Sequence, residues 1–342
     1  MDRTGDERAM RAALALAARG PAVDPNPRVG AVVTDPAGRV VGRGYHRGAG
    51  SPHAEVEALA QAGAAASGGT AYVTLEPCDH TGRTGPCSQA LVAAGVARVV
   101  FAQTDPHDAA AGGARTLQAA GVQVEGGLLV EQATALNRSW TAAVTAGRPR
   151  VVWKYAGTLD GRSAAADGTS RWITGPEARA DVHRLRAEAG AVVVGTGTVL
   201  ADDPSLTVRG PDDVPTGRQP LRVVVGRRDL PAGARVLDAA AETLQLRTHD
   251  PEQVLAVLHA RGIRTVWLEG GPTLAAAFLA AGLVDEVVAY LAPTLLGAGP
   301  AVVADLGIGS LAGALQLHPT DVTVLGPDLR VRATTVHPPE GA

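Results

Sequence analysis

Residues 53–87 read HAEVEALAQAGAAASGGTAYVTLEPCDHTGRTGPC, and this stretch decides the fold of the first half of the chain. It opens on His53-Ala54-Glu55 and runs into a strong helix former, Ala54 to Ala66. A short apolar strand, Ala71–Thr74, comes next. Cys78 follows that strand, and Cys87 directly precedes a second helical run, Ser88–Ala94, that stops at Gly95. Helix, strand and helix in close succession read as an α/β unit with helices packed on a sheet. Both cysteines of the chain fall in this stretch. With His53 they make three soft-metal ligands close to a glutamate.

The same alternation extends outward. Met10–Ala18 is an apolar helical run. Val29–Thr34 and Val40–Tyr45 read as strands joined by the turn Asp35-Pro36-Ala37-Gly38. Downstream come strand Arg98–Ala102, helix Ala114–Ala120 ending at Gly121, and strand Val122–Glu125. A boundary falls near Gly147-Arg148-Pro149, which divides the chain into domains 1–147 and 148–342. The alternation then restarts with strand Val151–Tyr155 and helix Pro176–Ala189, with Pro in its first turn and Gly190 beyond its end. Strands Ala191–Val194 and Leu221–Val225, helix Glu252–Arg261, strand Thr265–Glu269, helix Thr273–Ala281 and strand Glu286–Leu291 follow. Residues 210–220, rich in Pro, Gly and Asp, read as a surface loop. The second half is thus expected to form its own open α/β sheet.

One His and two Cys hold zinc with a fourth position left for water. Zinc lowers the pKa of such a water to about 7. His53 and Glu55 sit at the start of one helix and Cys87 at the start of another, where the positive helix end favours thiolate. Glu55 is too close to His53 to be a comfortable second ligand. It suits proton transfer, which typically contributes about 10²- to 10⁴-fold. His-x-Glu followed by Pro-Cys is the pattern of hydrolytic deaminases of ring amino groups. A structural zinc with His80 as fourth ligand is the competing reading. The deaminase pattern has two residues between its cysteines, whereas this chain has eight, Asp79 to Pro86. His80 and Arg83 in that insertion put positive charge at the rim, which suits a phosphorylated substrate. A solvated loop is the plainer alternative.

Composition narrows the function. Hydrophobic residues make up 46 % and aromatics 3 %, so Ala, Val and Leu must fill the cores. The net charge of -3, without a basic tail, disfavours a large nucleic-acid footprint, and the sparse aromatics disfavour single-strand stacking. The N-terminal residues MDRTGDERAM lack an apolar signal-peptide core, and no apolar run reaches membrane-spanning length. The chain is therefore expected to be cytoplasmic, with no membrane or nucleic-acid partner. Its cysteines are expected to be reduced rather than joined in a disulfide. The Ala/Leu helices permit a homo-oligomer without requiring one.

On these residues the chain resembles the bifunctional riboflavin-biosynthesis deaminase/reductase family. In the first half the strings are Pro25-Asn26-Pro27 with Val29-Gly30, Gly44-Tyr45-His46, His53-Ala54-Glu55-Val56, and Thr74-Leu75-Glu76-Pro77-Cys78 through Gly82-Arg83-Thr84 to Pro86-Cys87. The long insertion between the cysteines is itself typical of the family. The resemblance implies a cytidine-deaminase-like α/β/α domain acting on a 2,5-diamino-6-(5-phosphoribosylamino)pyrimidin-4-one. It implies zinc on His53, Cys78 and Cys87, Glu55 as the catalytic proton carrier, Asn26 and His46 on the pyrimidine, and His80 and Arg83 on the ribose phosphate. The chain departs from the pattern at Asp24, Arg28, Gly85 and His107, and at Asp79, where Ser is usual.

The second half carries no opening Gly-x-Gly-x-x-Gly unit, so the usual dinucleotide fingerprint is absent. It does carry Gly195-Thr196-Gly197 after one strand and Glu269-Gly270-Gly271-Pro272-Thr273 between a strand and a helix. Each is a weak signal alone. With Thr158-Leu159-Asp160-Gly161, Trp172-Ile173-Thr174, Leu185-Arg186, the run Gly197–Pro204 and Leu206–Arg209 they resemble the dihydrofolate-reductase-like half of the same family. The resemblance implies NADPH-dependent reduction of the ribosyl group to ribityl. It implies Ser170, Arg186, Leu206, Arg209 and Glu269 at the substrate. Ala156, Trp172, Thr198, Asp202 and the Gly271–Ala277 segment (Gly271, Pro272, Thr273 and Leu274 first) would line NADPH. Lys154 and Asp160 are polar candidates at the reacting sugar. After strand Leu221–Val225 the family usually has Asp-Ser. Here Gly226-Arg227-Arg228 stands there, and these arginines are expected to meet the cofactor's 2′-phosphate or to be surface charge. A single-activity zinc deaminase with a non-catalytic C-terminal domain is the alternative for the whole chain.

Overall fold

A computed structural model of the chain describes residues 3–80, 85–107 and 110–336. Arg83 lies outside the described residues. The chain forms two compact units, Met1–Gly147 and Arg148–Ala342.

In the first unit, strand β1 (Gly30–Thr34) shows why the sheet is covered on both faces. Side chains alternate across a strand, so Ala31 and Val33 point one way and Val32 the other. Ala31 and Val33 pack with Ala54, Ala58 and Ala62 of α2 (Ala54–Ala62), Leu91 of α3 (Cys87–Ala93) and Leu117 of α4 (Gly113–Ala119). Val32 packs with Met10 and Ala13 of α1 (Arg3–Ala17) and Ala133 of α5 (Val130–Leu136). The strands β2 (Val40–Tyr45), β3 (Thr70–Leu75), β4 (Arg98–Gln103) and β5 (Gln123–Gly126) complete a sheet of order β2-β1-β3-β4-β5. β1 is antiparallel to both neighbours, and β3, β4 and β5 are parallel. The result is α/β/α, and α6 (Arg138–Ala146) closes the unit.

α1 begins seven residues before the apolar run that announced it. Its polar first turn is held by Asp6, which accepts hydrogen bonds from Tyr72 Oη at 2.6 Å and Arg98 Nη2 at 2.8 Å. α5 and α6 were not foreseen from periodicity. The 35–38 turn is built as expected, with Asp35 Oδ1 accepting from the backbone of Ala37 and Arg39.

The second unit repeats the two-faced principle. Its strands are β6 (Arg150–Thr158), β7 (Ala191–Gly195), β8 (Leu221–Val225), β9 (Thr243–Leu246), β10 (Thr265–Leu268), β11 (Glu286–Ala292), β12 (Leu317–Leu325) and β13 (Asp328–Thr335). Their order is β12-β13-β11-β6-β10-β7-β8-β9. From β11 to β9 neighbours run parallel, and β11-β13-β12 are antiparallel. Val193, Val223 and Trp153 pack on α9 (Pro251–Ala260) and α10 (Pro272–Ala280). Val192, Val194 and Val224 pack on α7 (Pro176–Arg186) and Val199 of α8 (Thr196–Asp202). α9 starts where Asp250 caps Glu252 N, with Pro251 as first helical residue, the arrangement that satisfies an open helix end. The sequence reading missed α8, β9 and the β12–β13 hairpin. Arg209, just before the expected 210–220 loop, forms an antiparallel bridge with Pro215 inside it.

Candidate active sites

Two glycines in β2 set the depth of the first site. An added Cβ on Gly44 would lie 2.2 Å from the Ala54 carbonyl oxygen, and one on Gly42 would lie 2.1 Å from that of Ala58. α2 therefore rests directly on β2, and His53, its N-cap residue, is delivered to the sheet edge. Cys78 comes from the loop after β3, and Cys87 is the first residue of α3. The ligand atoms of His53, Cys78 and Cys87 all lie within 4.8 Å of one another. His53 Nδ1 is 3.2 Å from Cys87 Sγ and 3.5 Å from Cys78 Sγ. Tetrahedral zinc with Zn–S near 2.3 Å and Zn–N near 2.0–2.1 Å has N···S edges of about 3.6 Å. The donor set thus fits zinc in both chemistry and spacing. Both cysteines are free thiols rather than a disulfide. His80 is exposed and is not one of the three converging groups, so it does not close the site as a fourth ligand.

Glu55 is buried beside the ligands without being one of them. Burial pushes its carboxyl up to about 7, and the negative Cys78 adds to this. Cys78 is held well below the usual thiol range by its hydrogen bond from Cys87, helped by His53. The His46 ring meets the His53 ring edge-on at 5.7 Å. Its tautomer follows from its partners. Nδ1 lies 3.1 Å from the Pro52 carbonyl, which can only accept. Ser51 Oγ, 3.3 Å from the same nitrogen, gives its single proton to Gly48 O at 2.7 Å. Nδ1 therefore carries the hydrogen, and Nε2 accepts from Asn26 Nδ2 at 3.2 Å. The Asn26 carbonyl oxygen remains available as an acceptor.

Sequence reasoning missed the residues that hold this arrangement. Buried Glu76 accepts from the backbone N–H groups of Asp105 at 3.3 Å, Gly112 at 3.3 Å and Ala114 at 3.1 Å, tying the loop after β4 to the cysteine loop. Asp79, in place of the usual Ser, accepts from Ser88 Oγ at 2.5 Å and Thr116 Oγ1 at 2.7 Å. It thereby links α3 to α4. A Cβ on Gly113 would fall 1.8 Å from the Pro77 carbonyl, so α4 also abuts the metal loop. The legible signal was Glu76 immediately before Pro-Cys.

In the second unit, Glu269 is the hub. Arg186 reaches it through Nε at 2.8 Å and Nη2 at 2.9 Å, and Trp267 Nε1 donates at 2.6 Å. Lys154 Nζ lies 4.0 Å away, and burial lowers its pKa. Arg186 Nη1 also donates to the Thr207 carbonyl, next to buried Leu206. Arg209 is anchored by its backbone N–H to His183 Nδ1 at 3.2 Å, and its Nη1 pairs with Asp213 at 2.7 Å. Burial, then Arg186 and Arg209, lowers His183 to about 4. Five candidates from four separate stretches of sequence, Lys154, Arg186, Leu206, Arg209 and Glu269, thus share one connected cluster. Ser170 is half-buried and contacts none of them by hydrogen bond. Asp160 is spent elsewhere: it accepts from Thr158 Oγ1, from Leu296 N at 3.2 Å and from Gly297 N at 2.6 Å.

The candidate cofactor residues form the carboxyl edge of the parallel strands. Thr198 Oγ1 accepts from Gly271 N at 3.3 Å, joining α8 to the turn that opens α10 with Pro272, Thr273 and Leu274. The Asp202 carbonyl accepts from Arg171, next to Trp172, which is 69 % exposed and has the Arg179 guanidinium over one face of its ring at 4.6 Å. Ala156 is half-buried on β6. A Cβ on Gly195 or Gly271 would meet nothing nearer than 3.5 Å, and one on Gly197 would meet only the end of the Arg228 side chain at 3.1 Å, so these glycines leave a strip that larger side chains would fill. That open strip at strand ends, with polar groups around it, fits a dinucleotide.

A His–Cys–Cys deaminase unit and an open-sheet reductase unit in one chain define a two-domain enzyme class. Comparison with known proteins agrees. Residues 3–103 match the family described as "Cytidine and deoxycytidylate deaminase zinc-binding region", and residues 149–331 match the "RibD C-terminal domain". Riboflavin biosynthesis protein RibD of Mycobacterium tuberculosis (strain CDC 1551 / Oshkosh) is 52 % identical over 89 % of this chain and 90 % of its own length. Acinetobacter baumannii RibD is 41 % identical with a TM-score of 0.87, over 98 % of this chain and all of that one. A Thermotoga maritima structure titled diaminohydroxyphosphoribosylaminopyrimidine deaminase/5-amino-6-(5-phosphoribosylamino)uracil reductase is 32 % identical with a TM-score of 0.84, over 98 % and 99 %. The chain belongs to the RibD family of riboflavin-biosynthesis proteins. It is a bifunctional enzyme, with a zinc-binding deaminase domain and an NADPH-dependent reductase domain. A lone deaminase with an inert C-terminal half is not favoured, since both domains are matched.

Proposed function

We propose that residues 1–147 deaminate 2,5-diamino-6-(5-phosphoribosylamino)pyrimidin-4-one to 5-amino-6-(5-phosphoribosylamino)uracil, and that residues 148–342 reduce the ribosyl group of that product to ribityl. The observation that carries this is the His53, Cys78, Cys87 triangle with Glu55 buried against it. Zinc, when bound by these three residues, supplies Lewis acidity and makes water nucleophilic near neutral pH. Glu55, with its carboxyl near 7, takes a proton from the attacking water and returns it to the ring nitrogen and the departing ammonia. Water is consumed, and the ring C–NH2 becomes C=O with release of ammonia. Asn26 offers the acceptor that His46 leaves available, suited to an N–H of the pyrimidine. His80 and Arg83 are assigned to the ribose phosphate.

In the second unit, the ring-opened sugar presents an imine at C1′. NADPH supplies the hydride when bound along Ala156, Trp172, Thr198, Asp202 and Gly271–Leu274. Arg186 and Arg209, with Ser170, Leu206 and Glu269, hold the substrate, the guanidinium groups matching phosphate. Lys154 places its amine on the reacting sugar beside Glu269. Asp160 is assigned to the adjacent turn, since Thr158 and the 296–297 backbone occupy its carboxylate.

No helix among the described residues is long and apolar enough to cross a membrane. With the net charge of -3, this supports a cytoplasmic enzyme of small molecules without a nucleic-acid or membrane partner. The test is turnover of the phosphorylated diaminopyrimidinone by the zinc-loaded chain. Ammonia should be released without NADPH, and NADPH should be oxidised only after that release. NADPH oxidation without ammonia release, or ammonia release that requires NADPH, would refute the order.

A further inference from the structure

One sequence motif is left unused by this reading: Gly226-Arg227-Arg228 at the end of β8. Gly226 has φ 134°, and a Cβ there would lie 2.6 Å from Thr196 Oγ1, so the turn closes against the end of β7. Its backbone is pinned from β9 and the residue after it. Gln245 Nε2 donates to the Arg228 carbonyl at 2.8 Å and to the Gly226 carbonyl at 3.4 Å. Arg247 Nη1 donates to the Arg227 carbonyl at 2.9 Å. Asp229, the acid next in sequence, is taken by Arg247. Among the described residues, neither the Arg227 nor the Arg228 guanidinium has a hydrogen-bond or ion-pair partner. A turn whose carbonyls are fixed while its cations stay unpaired is built to present charge.

The two arginines differ in placement. Arg228 Nη2 lies 3.1 Å from the place a Cβ on Gly197 would occupy, so the guanidinium is laid over the glycine strip at the end of β7. Both are exposed, and Arg227 makes no comparable approach to the strip. The sheet order gives the direction. β6 and β10 carry Lys154 and lead to Glu269, β7 ends in Gly195, and β8 ends beside Arg228. Adjacent strands are about 4.8 Å apart, so three spacings put the end of β8 about 14 Å from β6. A dinucleotide with its nicotinamide beside the Lys154–Glu269 cluster then has its second nucleotide toward β8. The phosphate that distinguishes NADPH from NADH sits on the 2′-oxygen of that second ribose. An arginine accommodates this phosphate in open α/β sheets, and the guanidinium fork matches its oxygens.

We propose that Arg228, held over Gly197, binds the 2′-phosphate of the reductase cofactor and sets the preference for NADPH over NADH. The proposal rests on the cofactor strip assigned above. Its test is the dissociation constants of NADP⁺ and NAD⁺ for the full, zinc-loaded chain, by calorimetry, in wild type, Arg228→Gln and Arg227→Gln. Loss of a charge-assisted pair should weaken NADP⁺ by roughly 10- to 100-fold in Arg228→Gln. NAD⁺ affinity should stay unchanged there, which also shows the site still folded, and Arg227→Gln should bind both as wild type does. Unchanged NADP⁺ affinity in Arg228→Gln, an equal loss for both cofactors, or a loss carried by Arg227→Gln would overturn it. Wild type binding neither cofactor would instead overturn the strip itself, and this assignment with it.

Discussion

Replacing Gly44 with alanine tests how the deaminase site is positioned without touching a ligand. The new Cβ would stand 2.2 Å from the Ala54 carbonyl oxygen, 2.7 Å from Ala58 N and 2.7 Å from the Glu57 Cβ. The first contact is with backbone, so no side chain can rotate away. Real Cβ contacts essentially never fall under 3.0 Å, so the start of α2 must retreat by about 1 Å to be relieved. Ala54 lies between His53 and Glu55, and both move with it. Overpacking of this kind costs about 1–3 kcal/mol, and a 1 Å misplacement near chemistry can cost about 100-fold. Ammonia release should therefore fall about 100-fold, with a lower unfolding midpoint for the first unit. NADPH oxidation on supplied deaminated substrate should be unchanged, since Gly44 belongs to the other unit. Gly5→Ala is the control: nothing lies within 4 Å of its added Cβ on α1. A Gly44→Ala chain with wild-type ammonia release and thermal midpoint would refute the close-approach argument.

Three further outcomes are expected. Glu55→Gln should keep its zinc, measured by mass spectrometry, yet lose about 10²- to 10⁴-fold in ammonia release; retained release would remove Glu55 from its role. The nitrogen shifts of His46 should report a protonated Nδ1 and a bare Nε2 in the zinc-loaded chain, and the opposite tautomer would reverse the polarity assigned to Asn26. His183 is held at about 4 against 6.5 for a free histidine, chiefly by burial. Its depressed pKa means that the unfolded chain binds the proton first. The stability contribution is whole above about 6.5 and is lost as pH falls toward 4. His183→Asn should therefore flatten the acid-side fall of the second unit's unfolding midpoint across that window, and an unchanged slope would contradict the burial account.

Much of this was legible along the chain. The apolar run of β8 gave that strand to the residue, because burial on two helix-covered faces leaves a continuous hydrophobic signal, whereas the edge strand β2, VVGRGY, was legible from the Asp35-Pro36-Ala37-Gly38 turn before it. The three ligand types were legible because their chemistry is intrinsic to the side chains. α1 was read short because its first turn is polar, and the bonds Asp6 there accepts from Tyr72 and Arg98, distant in sequence, help to order it. β12 was missed because it is an edge strand and mostly exposed, so it carries no run of buried residues.

The sequence by itself determined which atoms could hold zinc, that Glu55 stood next to them, and that two α/β units followed one another. Those are local properties, set by residue type and by spacing within a few turns. Only the tertiary structure decided that Glu269 joins Arg186 and Lys154, that Glu76 holds the loop after β4, and that Arg228 rather than Arg227 lies over Gly197. Each of these depends on which strands are neighbours and how closely a helix meets a glycine. Strand order β6-β10-β7-β8 is a choice among pairings that the same local hydrophobic patterns allow, and it is made by packing both faces of the sheet at once.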